Sequence, residues 1–115
     1  SKLMQAKQKK VLSQPPVKRM VENIVRCKWS LSVIGLVRSG VNRAGAMERS
    51  IQGLTTKVLN ERLRKLVNFG ILSKTIFPET PPRVEYSFTA FGLKFVRLLD
   101  AIEKLESEIN AGTNA

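Results

Sequence analysis

A mainly α fold carrying a small β-hairpin wing, in the order α-α-α-α-β-β-α, is predicted by three features of this 115-residue sequence. Leu59, Leu63, Leu66 and Val67 recur at the i, i+4, i+7, i+8 spacing of one apolar helical stripe. Ile71–Phe77 and Arg83–Phe88 are rich in β-formers and are separated by Pro78, Pro81 and Pro82. Ahead of them, Gln52-Gly53 is the tight turn between a short helix and the next. A basic helix after a tight turn, followed by a proline-tipped hairpin, is the layout of a winged helix-turn-helix.

Each element follows from local chemistry. Residues 1–16 form a basic leader with Lys2, Lys7, Lys9 and Lys10 and no acid, ending at Pro15-Pro16. It reads either as a solvated terminus or as an arm that touches phosphates. Val17–Cys27 is a first helix, with Val17, Met20, Val21, Ile24 and Val25 as its stripe and Pro16 at its start. Trp29–Arg38 is a second, more buried helix, with Trp29 as a core anchor and Gly40 at its end. Arg43–Ser50 is a short support helix bearing Ala44 and Met47, with Ile51 just beyond. The fourth helix, Thr55–Phe69, has Thr55 or Thr56 as N-cap and Gly70 where a left-handed residue is wanted. Thr89 caps a last helix expected to run to about Asn110, leaving residues 111–115 as a tail. The expected organisation is an arm over 1–16, a winged helix-turn-helix over 17–90 and a dimerisation helix over 91–110.

Charge points to a partner. Twenty Lys and Arg against nine Asp and Glu give +11, and residues 1–83 hold 17 of those cations against 4 acids. Residues 84–115 hold 3 against 5, so a basic body precedes a slightly acidic last helix. A polyanion suits the first part. Hydrophobic content of 43% excludes a wholly disordered chain. No apolar run approaches the roughly 18 residues that span a bilayer, and no leader peptide is read, so a cytoplasmic protein is expected. One cysteine and no histidine exclude an internal disulfide framework and Cys/His zinc sites, and they remove the commonest general base. The sequence argues against an enzyme, calls for no metal or cofactor, and identifies no small-molecule effector.

With the leucines of the fourth helix facing inward, Thr56, Lys57, Asn60, Glu61 and Arg64 form its outward set. Thr55 and Thr56 can bind a phosphate beside the free amides of the helix start. Lys57 can reach guanine acceptors, Asn60 can pair with adenine, and Arg64 can read guanine or hold a phosphate. Glu61 either accepts from cytosine or pairs with Lys57 or Lys65. Arg62 is expected partly inward, braced against Glu48 or the wing. Lys74 and Arg83 flank the wing; Arg83 either enters the minor groove or grips a phosphate, or it pairs with Glu79 or Glu85 on the surface. Arg43 is a further phosphate candidate. In the last helix, Phe91, Phe95, Leu98, Ile102, Leu105 and Ile109 are spaced as a heptad seam. Its later members, Leu98, Ile102, Leu105 and Ile109, read as a dimer interface, the competing reading being that the helix folds back on the first.

The stretches LTTKVLNERLRKLVNFGIL and IFPETPPRVEYSFTAFG, with CKWSL upstream at Cys27–Leu31, resemble the HxlR-type winged-helix transcriptional regulators. The similarity runs from about Val17 to about Ile102, and its most specific part is Pro78 to Tyr86. It implies a homodimer on double-stranded DNA, with Arg83 of the wing on the DNA and the Trp29 region between the reading unit and the dimer helix. Some members sense oxidants or electrophiles through a cysteine before the first helix. Here Pro15-Pro16 holds that place, and Cys27 replaces a glycine ahead of Lys-Trp. Arg26 and Lys28 can lower the pKa of this thiol and make it a sensor, or Cys27 is a small buried hydrophobe. The expected function is a homodimeric, sequence-specific regulator of transcription on an inverted repeat. The alternatives are a winged-helix protein-interaction module and a nonspecific nucleic-acid coat.

Overall fold

Pro16 opens the first helix, its carbonyl accepting from the Arg19 and Met20 amides at 3.0 and 3.1 Å. The computed structural model describes residues 14–114, so the expected basic arm lies outside the described residues except for Gln14, Pro15 and Pro16. Helix α1 (Val17–Val25) buries Met20 and Ile24. It ends two residues before the expected Cys27. The Arg26 and Cys27 amides turn back to the Glu22 and Ile24 carbonyls, and Cys27, extended at φ −106° and ψ 107°, becomes the N-cap of α2 (Lys28–Arg38). Helix α2 buries Ser30, Val33, Ile34 and Val37 and stops where Gly40 takes φ +93°.

The link from α2 to the support helix α3 (Ala44–Ser50) lies against the hairpin, since Tyr86 N–H donates to the Asn42 carbonyl at 2.9 Å. Gly53, at φ +87°, makes the tight turn that only glycine enters without strain. Thr55 then caps α4 (Thr56–Asn68), its side chain accepting from Val58 N–H at 3.2 Å. Leu59, Leu63 and Leu66 are the buried stripe of α4. The helix closes in a Schellman motif: Gly70 at φ +78°, Gly70 N–H to the Val67 carbonyl, and Ile71 N–H to the Leu66 carbonyl.

Strands β1 (Leu72–Phe77) and β2 (Arg83–Phe88) pair antiparallel, with Leu72 opposite Phe88, Lys74 opposite Tyr86 and Phe77 opposite Arg83. The Thr80–Pro81 peptide at the tip is cis. Helix α5 (Ala90–Asn114) starts at Thr89, whose hydroxyl accepts from Gly92 N–H at 2.8 Å and donates to the Gly70 carbonyl. Gly92 lies so close to the link between α4 and β1 that a Cβ there would meet the Ile71 carbonyl oxygen at 2.0 Å. The helix runs on to Asn114, past the expected end near Asn110, with no proline to stop it. Residues 111–114 are therefore helix rather than a tail.

Met20 and Ile24 of α1, Val33 and Ile34 of α2, Met47 of α3, the α4 leucines, Ile71, Leu72, Phe95 and Val96 form one core. Trp29 is half-buried and packs against it, as expected of an anchor. Outside the core, Arg38 grips Asp100 with two hydrogen bonds of 2.7 and 3.0 Å, tying α2 to α5. Among the described residues, no helix is long and apolar enough to cross a membrane.

Candidate nucleic-acid interface

With its leucines committed to the core, α4 turns Thr56, Lys57, Asn60, Glu61 and Arg64 to solvent. The two flanks of this exposed face differ. Asn60, Arg64 and Val67 face the wing and, with Lys74 and Tyr86, line a groove of about 350 Å³. Arg62 and Lys65 lie on the other flank, facing α1. Arg62 is thus partly inward, as expected, but it leans toward α1 rather than the wing. Its Nε is buried without a hydrogen-bond partner, as is Oε1 of Glu48, so the bracing pair between them is not formed.

The helix–wing groove brings together three of the expected contact residues, Asn60, Arg64 and Lys74, and adds Tyr86. Sequence reasoning passed over Tyr86. It is 8% exposed, and among the described residues no protein group pairs with its hydroxyl. Burial pushes its phenol above the ordinary value, so the hydroxyl stays protonated and able to donate. No carboxylate lines the groove among the described residues.

Thr55 spends its hydroxyl oxygen as the α4 cap, which leaves its proton available, and Thr56 is exposed one residue on. Arg43 is exposed at the N-cap of α3 and does not line the groove. Arg83 has the surface pairing weighed above against a DNA contact. Its guanidinium reaches Glu79 at 3.2 Å and Glu85 at 2.9 Å and stacks 3.9 Å from the centre of the Phe77 ring. Glu85 also accepts from Asn42 at 3.5 Å. In this state the Arg83 charge is already matched.

Along α5, Phe95 is buried against the core, and the seam then emerges: Leu98 is 40% exposed, Leu105 60% and Ile109 66%, with Ile102 half-buried between them. Cys27 is half-buried at the junction of α1 and α2. Burial raises its thiol, but the Ser30 side chain and amide, the Arg62 charge and the Trp29 amide outweigh that and bring it below the usual value. Ser30 Oγ is buried beside this junction and has no hydrogen-bond partner.

This arrangement has counterparts. A family model described as HxlR-like helix-turn-helix matches residues 24–112. A protein of Synechocystis, named an HTH-type transcriptional regulator, is 39% identical over 93 residues, which cover 81% of this chain and 68% of that one. A solved structure from Enterococcus faecalis V583, described as a MarR-family transcriptional regulator, superposes with a TM-score of 0.73 at 27% identity, covering 83% of this chain and 86% of its own. Another so described, from Porphyromonas gingivalis W83, gives 0.62 at 35% identity, with 84% and 93% covered.

Proposed function

The chain belongs to the HxlR-like helix-turn-helix family, and on that premise we propose that it is a homodimeric transcriptional regulator that reads a specific site in duplex DNA. The observation that carries this reading is the groove between α4 and the wing, where Asn60, Arg64, Lys74 and Tyr86 converge with no carboxylate among the described residues. Helix α4 enters the major groove by its N-terminal half. Lys57 and Asn60 meet base edges, where a well-placed pair discriminates by about 1–3 kcal/mol. Thr55 and Thr56 receive a phosphate at the helix start. Arg64, Lys74 and Tyr86 grip the next backbone phosphate where helix and wing meet, which fixes register without reading sequence. Arg43 reaches a flanking phosphate. Arg83 joins the interface only if DNA displaces Glu79 or Glu85, so in the unbound chain it serves to stiffen the wing.

The stripe of Leu98, Ile102, Leu105 and Ile109 is covered by a second copy, and the two-fold axis sets two α4 helices about one helical turn apart on an inverted repeat. The function is that of a cytoplasmic DNA-binding protein rather than a catalyst. Fluorescence anisotropy with a selected duplex and a scrambled one, across a range of salt, tests it. Specific binding with a steep salt dependence is expected. Equal affinity for both duplexes would leave a nonspecific coat, and salt-insensitive behaviour without DNA retention would leave a protein-interaction module.

A further inference from the structure

The flank of α4 that faces away from the wing meets α1 across a cleft of about 340 Å³. Arg19 and Arg26 enter it from the α1 side, and Arg62 and Lys65 from α4. Among the described residues Glu22 is the one carboxylate in its lining, beside Asn23 and Cys27. Among the described residues, the ion pairs involve Arg38 and Arg83, and none reaches these four cations. Like charges drawn from two helices into one concavity repel unless an anion sits among them. Arg62 Nε and Asn23 Oδ1, on two of the lining residues, are buried with no hydrogen-bond partner. Buried polar groups are normally paired, so the protein alone does not satisfy the lining of this cleft.

We propose that this cleft is a binding site for a small oxyanion of the phosphate class, held by Arg26 and Arg62 and approached by Arg19 and Lys65. The guanidinium fork matches two oxygens of such a group, where an ammonium offers only a point charge. The ligand bridges α1 to the recognition helix on the flank that leaves Lys57, Asn60 and Arg64 free. Its occupancy therefore stiffens the α1–α4 contact beneath the DNA-reading face. The same oxyanion chemistry has two sources, a free phosphorylated small molecule or a phosphate of a DNA backbone passing beside α4.

Cys27 lines the same cleft and is the one thiol in the sequence, so it reports on occupancy. The experiment measures the rate at which the neutral reagent iodoacetamide alkylates the full chain, at constant pH and ionic strength, as inorganic phosphate replaces chloride. A saturable, several-fold slowing is expected. Arg62→Gln and Arg26→Gln should abolish it, and Arg64→Gln, on the opposite flank, should retain it. Arg26 is exposed at the end of α1, so its variant keeps the test sound should Arg62→Gln fail to fold. A parallel arm replaces phosphate with a short duplex. Slowing by the duplex but not by free phosphate, lost in Arg26→Gln, would assign the oxyanion to the DNA backbone. No slowing in either arm, or a slowing that survives both cleft variants, would overturn the site. Sequence-specific binding by α4 is measured separately and can fail or hold without affecting this result.

Discussion

Arg83 and Lys74 sit on the same hairpin and differ in what already meets their charge. Arg83 is held by Glu79 and Glu85 against the Phe77 ring, whereas Lys74 stands exposed in the groove opposite Tyr86. Lys74→Ala should therefore lower the slope of log affinity against log salt by about 1, the signature of one lost phosphate contact, while Arg83→Ala leaves the slope unchanged. Anisotropy titrations across salt concentrations check both. Lys57→Ala should weaken a selected duplex by about 1–3 kcal/mol and a scrambled one far less; equal losses on the two would remove its base-reading role. The exposed α4 residues were legible in the sequence because the leucine stripe determines which positions face out. Tyr86 was not. A proline-rich loop admits several strand registers, and only the register observed sets Tyr86 opposite Lys74. The Arg83–Glu85 contact follows from the two-residue repeat of a strand, but the second carboxylate, Glu79, arrives through the path of the loop tip, which periodicity does not encode.

Helices α4 and α5 are joined by a junction that leaves room for no side chain at one position. Gly92 packs on the Ile71 carbonyl while its amide is held by Thr89, which also binds the Gly70 carbonyl. Gly92→Ala should destabilise the fold by about 3 kcal/mol, since the added methyl meets backbone that cannot yield cheaply; chemical denaturation measures it. Thr89→Ala should lose about 1 kcal/mol by removing the cap. The Arg38–Asp100 tether gives α5 a pH dependence of known sign. The hydrogen bond from Arg38 holds the Asp100 carboxyl below its ordinary value. A carboxyl whose folded pKa is depressed contributes at pH above its unfolded value and loses that contribution as pH falls through the folded one. Acidification below the usual carboxylate range should loosen α5 from α2, and Asp100→Asn should remove that dependence, read by hydrogen exchange of the α5 amides. Element type and order were legible throughout, because stripes, prolines and capping residues are local signals. The ends of α1 and α5 shifted, because helix termini are decided by small margins, as in the turn that closes α1 on the Glu22 carbonyl. The tether, 62 residues apart in sequence, carries no local signal at all.

At the scale of the whole molecule, the chain has two surfaces with opposite chemistry. The basic face of α4 and the wing suits a polyanion, and Leu98 and Leu105 of the α5 stripe are exposed on either side of half-buried Ile102. Replacing Ile102 and Leu105 together by Glu should yield a folded monomer in light scattering, with specific DNA affinity falling steeply because two half-sites no longer act together. A dimer that survives this change would place the interface elsewhere. The heptad seam was visible in the sequence, but a single chain does not encode which surface covers it. The most direct test of the account is selection of bound fragments from random duplex DNA by the purified protein at near-physiological salt, followed by sequencing. Recovery of a short inverted repeat, with half-sites about one helical turn apart, is the predicted result. Recovery of featureless DNA, or of none, would contradict it.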